Sequence, residues 1–298
     1  MNGTFKWESL KKMSNKVAFA TPLIYEDFVY VIGGCDEKGT PIGSCEYYEP
    51  AKRRWHRIND MPTKRASPAA AVIGDKIVVI GGVGLEQQPV SAVETLDLKT
   101  KEWKVVEQLT KPLLGLSCVV KDNIIYLAGG MADDTNPQSS LISFDLENNK
   151  WKSYSPMPTP RYAAYSTIID NKLYVVGGRQ GKIPCLACEC YDFESDKWTK
   201  LPDIPSKRVF AMNATADKYI FHVGGLQQPA TLGFSDSCDK FDTEKGEFQK
   251  LKKFYNYNFK SYMNLKMTKN SAVYQNNAYK YDKTTKKNIS LYKWLDQR

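Results

Sequence analysis

The sequence predicts an all-β fold in which one four-stranded antiparallel sheet is repeated around an axis, and three recurring landmarks carry that prediction. First, a short β-branched run ending on two glycines occurs as Phe28–Gly34, Lys76–Gly82, Asn123–Gly130, Lys172–Gly178 and Tyr219–Gly225. Its glycine pairs are Gly33-Gly34, Gly81-Gly82, Gly129-Gly130, Gly177-Gly178 and Gly224-Gly225, with second members 48, 48, 48 and 47 residues apart. Second, Trp7, Trp55, Trp103, Trp151 and Trp198 each stand 27 residues before such a second glycine, and Phe248 takes the next slot. Third, an acidic residue lies six before these later aromatics, as Glu49, Asp97, Asp145, Asp192 and Asp242, behind Tyr48, Leu96, Phe144, Tyr191 or Phe241.

Between one tryptophan and the next there is room for four strands with tight turns. After the tryptophan comes a proline-bearing loop, as at 60–65, 156–161 and 203–208. A small-residue first strand follows, read as Ala66–Ile73 and Ala163–Ile169; it is narrow because the sheets crowd at the axis. A polar turn (Gly74-Asp75, Asp122-Asn123, Asp170-Asn171, Asp217-Lys218) closes the hairpin into the diglycine strand. The third strand ends at the acidic residue and the fourth carries the tryptophan. Glycine after the second strand admits backbone angles closed to other residues and lets a neighbouring backbone come close. Tryptophan offers a large area to the adjacent sheet while its indole N–H finds an acceptor.

The diglycine, the (Tyr/Phe)-Asp pair and the tryptophan together resemble the kelch repeat, over residues 5–248. The resemblance implies a kelch-type β-propeller with five clear repeats, an N-terminal closing strand and a degenerate C-terminal blade. Stretches such as VIGGCDEKGTPIGSCE (31–46) and PMPTPRYAA (156–164) look closest to the kelch domain-containing protein 8 group, kelch-only proteins whose propellers have seven repeats. No BTB-type helical segment precedes the repeats, so the ubiquitin-ligase adaptor role of BTB-kelch proteins is not carried over. Trp7, a fourth-strand tryptophan without three strands before it, is expected to complete the last blade and hide an open sheet edge.

The pattern stops after Phe248. The diglycine due near 275 is replaced by Tyr274-Gln275-Asn276-Asn277, and neither glycine after Gly246 nor proline after Pro229 occurs. Residues 1–248 are therefore read as the repeat domain. Residues 249–298 are a basic, glycine-free segment: a degenerate blade, in which 278–288 imitates a third strand, turn and fourth strand, or an aberrant end of a longer seven-repeat parent. The net charge of +9 belongs to this segment, which has twelve Lys and Arg against Asp282 and Asp296; of the chain's 42 basic and 33 acidic residues, 30 and 31 remain in 1–248. The basic segment lacks an amphipathic period and an RNA-binding motif, so neither nucleic acid nor membrane is expected as partner. The 298 residues contain no long apolar run and no secretory signal, and the seven cysteines are an odd number. A soluble cytoplasmic or nuclear protein with reduced thiols is expected.

No enzyme signature emerges, and no cofactor, metal or small-molecule substrate is predicted. Cys185, Cys188 and Cys190 suggest a metal site, but Cys188 fills the buried slot of Cys45, Val93, Leu141 and Cys238, and no second ligand pair stands at ligand spacing. His222 replaces Val31, Val79, Leu127 and Val175 of the diglycine strand, and His56 follows Trp55, so the two histidines are structural. The copper-radical oxidases built on similar propellers need a histidine pair at one metal, which leaves an enzyme as the alternative reading. The arginines are more informative. Arg65, Arg161 and Arg208 come ten residues after a tryptophan, where the other repeats have Val17 and Leu113, and Arg179 directly follows a diglycine. Alternating strand direction brings all four to one loop face around the central channel. As candidate partner-binding residues they would take acidic side chains or a peptide carboxylate bidentately; the competing reading is that each braces its own loop against a neighbouring carboxylate. The resulting expectation is a protein-interaction scaffold or adaptor that binds a protein or acidic peptide on this face.

Overall fold

A computed structural model describes residues 10–251 together with strands at 279–282 and 287–290. It is an all-β propeller of five four-stranded antiparallel blades. Blade 1 comprises β1 (Thr21–Tyr25), β2 (Phe28–Ile32), β3 (Cys45–Glu49) and β4 (Arg54–Ile58). Blade 2 comprises β5 (Ala69–Ile73), β6 (Lys76–Ile80), β7 (Ala92–Asp97) and β8 (Trp103–Gln108), and blade 3 β9 (Ser117–Lys121), β10 (Ile124–Ala128), β11 (Leu141–Asp145) and β12 (Lys150–Tyr154). Blade 4 has β13 (Tyr165–Ile169), β14 (Lys172–Val176), β17 (Cys188–Asp192) and β18 (Lys197–Leu201), with a small hairpin, β15 (Arg179–Gln180) and β16 (Ile183–Pro184), inserted after the diglycine. In blade 5, β20 (Met212–Ala216), β21 (Tyr219–Val223), β23 (Cys238–Asp242) and β24 (Glu247–Leu251) form the sheet, and β19 (Arg208–Val209) pairs with β22 (Leu226–Gln227) at its loop end.

The innermost strands β1, β5, β9 and β13 pack in succession around the channel. Four apolar clusters fill the junctions between successive blades. Leu96, Phe144, Tyr191 and Phe241, one in each cluster, have no exposed surface, and each such burial is worth about 1.5–3 kcal/mol. Except in blade 2, where it is Leu96, the aromatic before the repeat's acid packs on the fourth-strand aromatic of its own blade, as in Phe144–Trp151 with centroids 4.5 Å apart. The acid itself turns the chain: Asp97 Oδ1 accepts the N–H groups of Lys99 and Thr100 at 2.8 and 2.9 Å, and Asp192 does the same for Glu194 and Ser195.

The diglycines are the seams between blades. Gly34, Gly82 and Gly130 donate their N–H groups to the carbonyl oxygens of Arg65, Leu113 and Arg161, each in the loop entering the next blade, at 2.9, 3.0 and 2.9 Å. At Gly81, φ is +62° and a Cβ would stand 2.5 Å from the Leu113 oxygen, so both the angle and the approach demand glycine. The tryptophans make a second seam. The indole N–H groups of Trp55, Trp103 and Trp198 donate to Lys11, Asn59 and Ser155 carbonyls of the preceding repeat at 2.9, 2.8 and 2.7 Å.

Three expectations are revised or fall outside the described residues. The first strands are shorter than read: β5 starts at Ala69 and β13 at Tyr165, because Ser67 and Ala163 adopt left-handed φ of 47° and 52° and break the strand before it begins. Phe19, Gly115 and Phe210 hold the same conformation at the same repeat position. Trp7 and the closing strand lie outside the described residues. Of the C-terminal segment, β25 (Tyr279–Asp282) and β26 (Lys287–Ser290) form an antiparallel hairpin in which Tyr281 faces Asn288. This is the register in which Tyr48 faces Trp55 and Tyr191 faces Trp198, so the sequence imitation of a third and fourth strand extends to backbone pairing.

Candidate functional site

The two ends of the propeller are unequal. At one end the polar hairpin turns and the acid-capped turns are short. At the other, the loops after each diglycine cross the loops that enter each blade, through single bridges such as Ala66–Val83, Leu114–Met131 and Tyr162–Arg179. Loops leaving the second strand and loops entering the first strand thus share one face around the channel, as the strand alternation predicts.

The four arginines reach this end of the fold but are not alike. Arg65, Arg161 and Arg208 depart from the expectation of partner-facing guanidiniums: their side chains are buried, with 0%, 0% and 3% of each residue exposed, and each is engaged inside the fold. Arg65 pairs with Glu94 at 2.7 Å and donates from Nη1 to the Ala92 and Gly81 carbonyls. Arg161 pairs with Glu189, donates from Nη1 to the Ala187 carbonyl at 2.6 Å and from Nε to the Thr159 carbonyl at 3.1 Å. Arg208 pairs with Asp239 and donates to Ser235, Ser237 and the His222 carbonyl. Burial pulls the Arg65 and Arg208 guanidinium pKa values down, against the opposing pull of Glu94 and Asp239. A guanidinium starts so high that both stay charged.

These are internal braces that tie an entry loop to the third strand of its own blade. The signal that identifies them lies three residues before the acid-turn position. Glu94, Glu189 and Asp239 stand there in the blades that have arginine, and Ile142 stands there in blade 3, where the arginine slot is Leu113. Blade 1 has Glu46 opposite Val17, and the backbone N–H groups of Ser14 and Asn15 satisfy its carboxylate instead, at 2.9 and 3.1 Å.

Arg179 is placed differently. Following the diglycine of blade 4, it lies between blades 4 and 5 with its guanidinium carbon 5.8 Å from the Tyr162 ring centroid and 5.3 Å from that of Phe210. Its Nε is buried and has no hydrogen-bond partner, and among the described residues no carboxylate pairs with it. Two left-handed backbone positions, Ala163 and Phe210, flank it, and the recess it lines also includes Asn213 and His222. The Tyr162 hydroxyl donates to the Gly181 carbonyl at 2.7 Å and so fixes the ring against which the guanidinium lies. A partly exposed guanidinium between two rings, with no carboxylate of its own, is a ready site for an anion.

His222 is a buried structural imidazole. Desolvation, with Arg208 nearby, pushes its pKa down to about 3, so the ring is neutral and its Nδ1–H donates to Asn213 Oδ1 at 2.6 Å. The thiols of Cys185, Cys188 and Cys190 are buried, and burial raises each of them, that of Cys188 to about 12. Among the described residues no group of three or more His, Cys, Asp and Glu side chains is placed to hold a metal ion.

Comparisons with known proteins agree with this architecture. The Attractin/LZTR1 beta-propeller family model matches residues 3–183, and the KLHDC2/KLHL20/DRC7 Kelch-repeats domain model matches residues 108–264. A search of curated protein sequences finds no match. Among solved structures, that of YjhT superposes with a TM-score of 0.70 at 17% identity, over 82% of this chain and 86% of that one; at this identity the likeness is one of fold.

Proposed function

The chain belongs to the kelch-repeat β-propeller family, and on that premise we propose that it is a non-enzymatic interaction module that captures a partner protein on its loop face through Arg179. One observation carries the reading: of the four arginines at this end, Arg179 alone is left without a carboxylate among the described residues, while two aromatic rings hold its guanidinium in place. An acidic side chain or a free carboxylate on a partner peptide supplies the missing charge and can accept two parallel N–H bonds. The neutral, internally bonded His222 and the raised thiols support a binding rather than a catalytic role. All seven cysteines are free thiols, which supports a reducing cytoplasmic or nuclear setting. The stretches 31–46 and 156–164 support placement with the kelch-only proteins of the kelch domain-containing protein 8 group.

The test is a binding screen of the intact chain against a library of short peptides rich in Asp and Glu, with free and amidated C-termini. Arg179→Ala should weaken the selected peptides at least tenfold with an unchanged melting temperature, and Arg179→Lys should recover only part of the loss because it lacks the fork. Equal binding by wild type and Arg179→Ala would overturn the assignment.

A further inference from the structure

Toward the end of the blades opposite the loop face, the junction between blades 2 and 3 contains a cleft of about 390 Å³. Thr95, Val106 and Leu146 are its more buried lining, and Lys76, Lys104 and Asn149, with Asp97, Thr100 and Glu102 of the acid-capped turn, complete it. The volume falls in the range of small-ligand sites. The repeat shows what this place holds elsewhere. Between blades 3 and 4, the positions of Val78, Val106 and Leu146 are Tyr126, Tyr154 and Phe193. There the three rings fill the junction, Tyr126 lying 4.9 Å from Phe193 and 5.6 Å from Tyr154. Lysine covers them, with Lys152 Nζ 4.8 Å from the Tyr154 centroid and Lys121 Nζ 5.4 Å from that of Phe193. Between blades 1 and 2 those three positions are Tyr30, Ile58 and Leu98, and the rings of Tyr47 and His56, at the positions of Thr95 and Lys104, stack on Tyr30 under Lys101. Lys104 occupies the repeat position of Lys152, yet among the described residues no ring lies within cation–π distance of it; the rings of this junction, Phe144 and Trp151, belong to the core below.

The backbone departs from the repeat at the same spot. In the other four blades the residue equivalent to Val106 pairs across to the start of the third strand, as Ile58 does with Cys45 and Tyr154 with Leu141. In blade 2, Val93 pairs with Glu107 and Glu94 with Val105, so Val106 is the extra residue of a β-bulge. Bulges re-aim side chains and occur beside functional sites. The shift coincides with a missing seam bond. Trp55, Trp103 and Trp198 donate to carbonyls at 11, 59 and 155, the series in which Glu107 is the counterpart for Trp151. The Trp151 indole N–H is instead buried without a partner.

We propose that this cleft is a second docking site, which receives an aromatic side chain of a partner polypeptide. The incoming ring takes the place that Tyr154 and Phe193 fill one junction later, packs on Val106 and Leu146, and lies beneath Lys104 in a cation–π contact. The inference shares with the preceding section the premise that the chain binds proteins, but it uses the opposite end of the blades.

Methyl NMR of the intact chain, titrated with N-acetyltyrosinamide and in parallel with N-acetylleucinamide, tests it. The expected result is a saturable ring-current shift of the Val106 and Leu146 methyls with the tyrosine probe, at least fivefold weaker saturation with the leucine probe, and the same response in Arg179→Ala. Val106→Tyr, which copies Tyr154 into the cleft, should weaken probe binding at least tenfold and raise the melting temperature. Leu146→Phe, which copies Phe193, carries the same test through a residue outside the bulge. A blocked pentapeptide with one central tyrosine should bind at least threefold more tightly than N-acetyltyrosinamide. Equal response to the two probes, a response unchanged in both filled variants, or a pentapeptide no tighter than the free amide would each overturn the proposal, the last in favour of a small aromatic molecule.

Discussion

Replacing Arg161 by alanine removes the cation from a pair in which both side chains have no solvent-exposed surface. Glu189 then stays buried with the Thr159 hydroxyl as a donor at 2.5 Å but without a counter-charge. Breaking one partner of a buried ion pair costs about 3–5 kcal/mol. Blade 3 shows the alternative, Leu113 and Ile142 in the same two slots, so Arg161→Leu with Glu189→Ile should restore most of the loss. The restoration is incomplete because Arg161 also donates to the Ala187 and Thr159 carbonyls, and two such bonds are worth roughly 1 kcal/mol each. The double variant should therefore fall about 1–2 kcal/mol below wild type, and since each single substitution should cost about 3–5 kcal/mol, the two should show a coupling of at least about 4 kcal/mol. Urea unfolding followed by tryptophan fluorescence measures this, with Arg161→Leu and Glu189→Ile as the two single variants of the cycle. A single Arg161→Ala that costs less than about 1 kcal/mol, or a double variant no more stable than it, would refute the reading of Arg161 as a brace.

Other outcomes follow from the same geometry. Gly81→Ala should cost at least about 3 kcal/mol, since a left-handed angle and a carbonyl at 2.5 Å act together, whereas Gly39→Ala, with φ +82° and open space, should cost about 1–2 kcal/mol; urea midpoints compare them. Trp198→Phe should cost about 1 kcal/mol more than Trp151→Phe, because only the first loses an indole bond, as differential scanning calorimetry would show. The depressed His222 pKa makes stability fall with acid: above pH ~6.5 the ring is neutral in both states, and from there down to about 3 only the unfolded chain takes the proton. Wild type should lose about 2 kcal/mol more than His222→Gln between pH 7 and 5, at about 1.4 kcal/mol per unit below pH ~6.5; equal losses would contradict the buried neutral ring.

Much of the fold was legible because a fixed period converts weak local signals into repeated ones. A single Lys76–Gly82 is ambiguous, but five copies in step with tryptophan and aspartate identify the second, third and fourth strands. The first strands were overextended because Ser67, Ala163 and Phe210 are residue types that do not advertise a left-handed backbone; in that conformation the N–H groups of Ser67 and Ala163 reach the Phe19 and Gly115 carbonyls of the preceding blade. Strand alternation correctly placed the arginines at the loop end, but not whether they point into a blade or out of it. That distinction was written elsewhere in the repeat, in the pairing of Arg65 with Glu94 and of Leu113 with Ile142. The cleft lies beside a bulge at Val106, a register shift that the unbroken 48-residue period does not reveal.

The central claim is that the loop face around Arg179 is where a partner sits. Hydrogen exchange of the intact chain, alone and saturated with the tightest peptide from the acidic library, tests it most directly. Protection should concentrate in residues 179–184, 207–211 and 226–234, leaving the hairpin turns at 26–27, 74–75 and 122–123 unchanged. Protection confined to those turns, or spread evenly over the blades, would contradict the account.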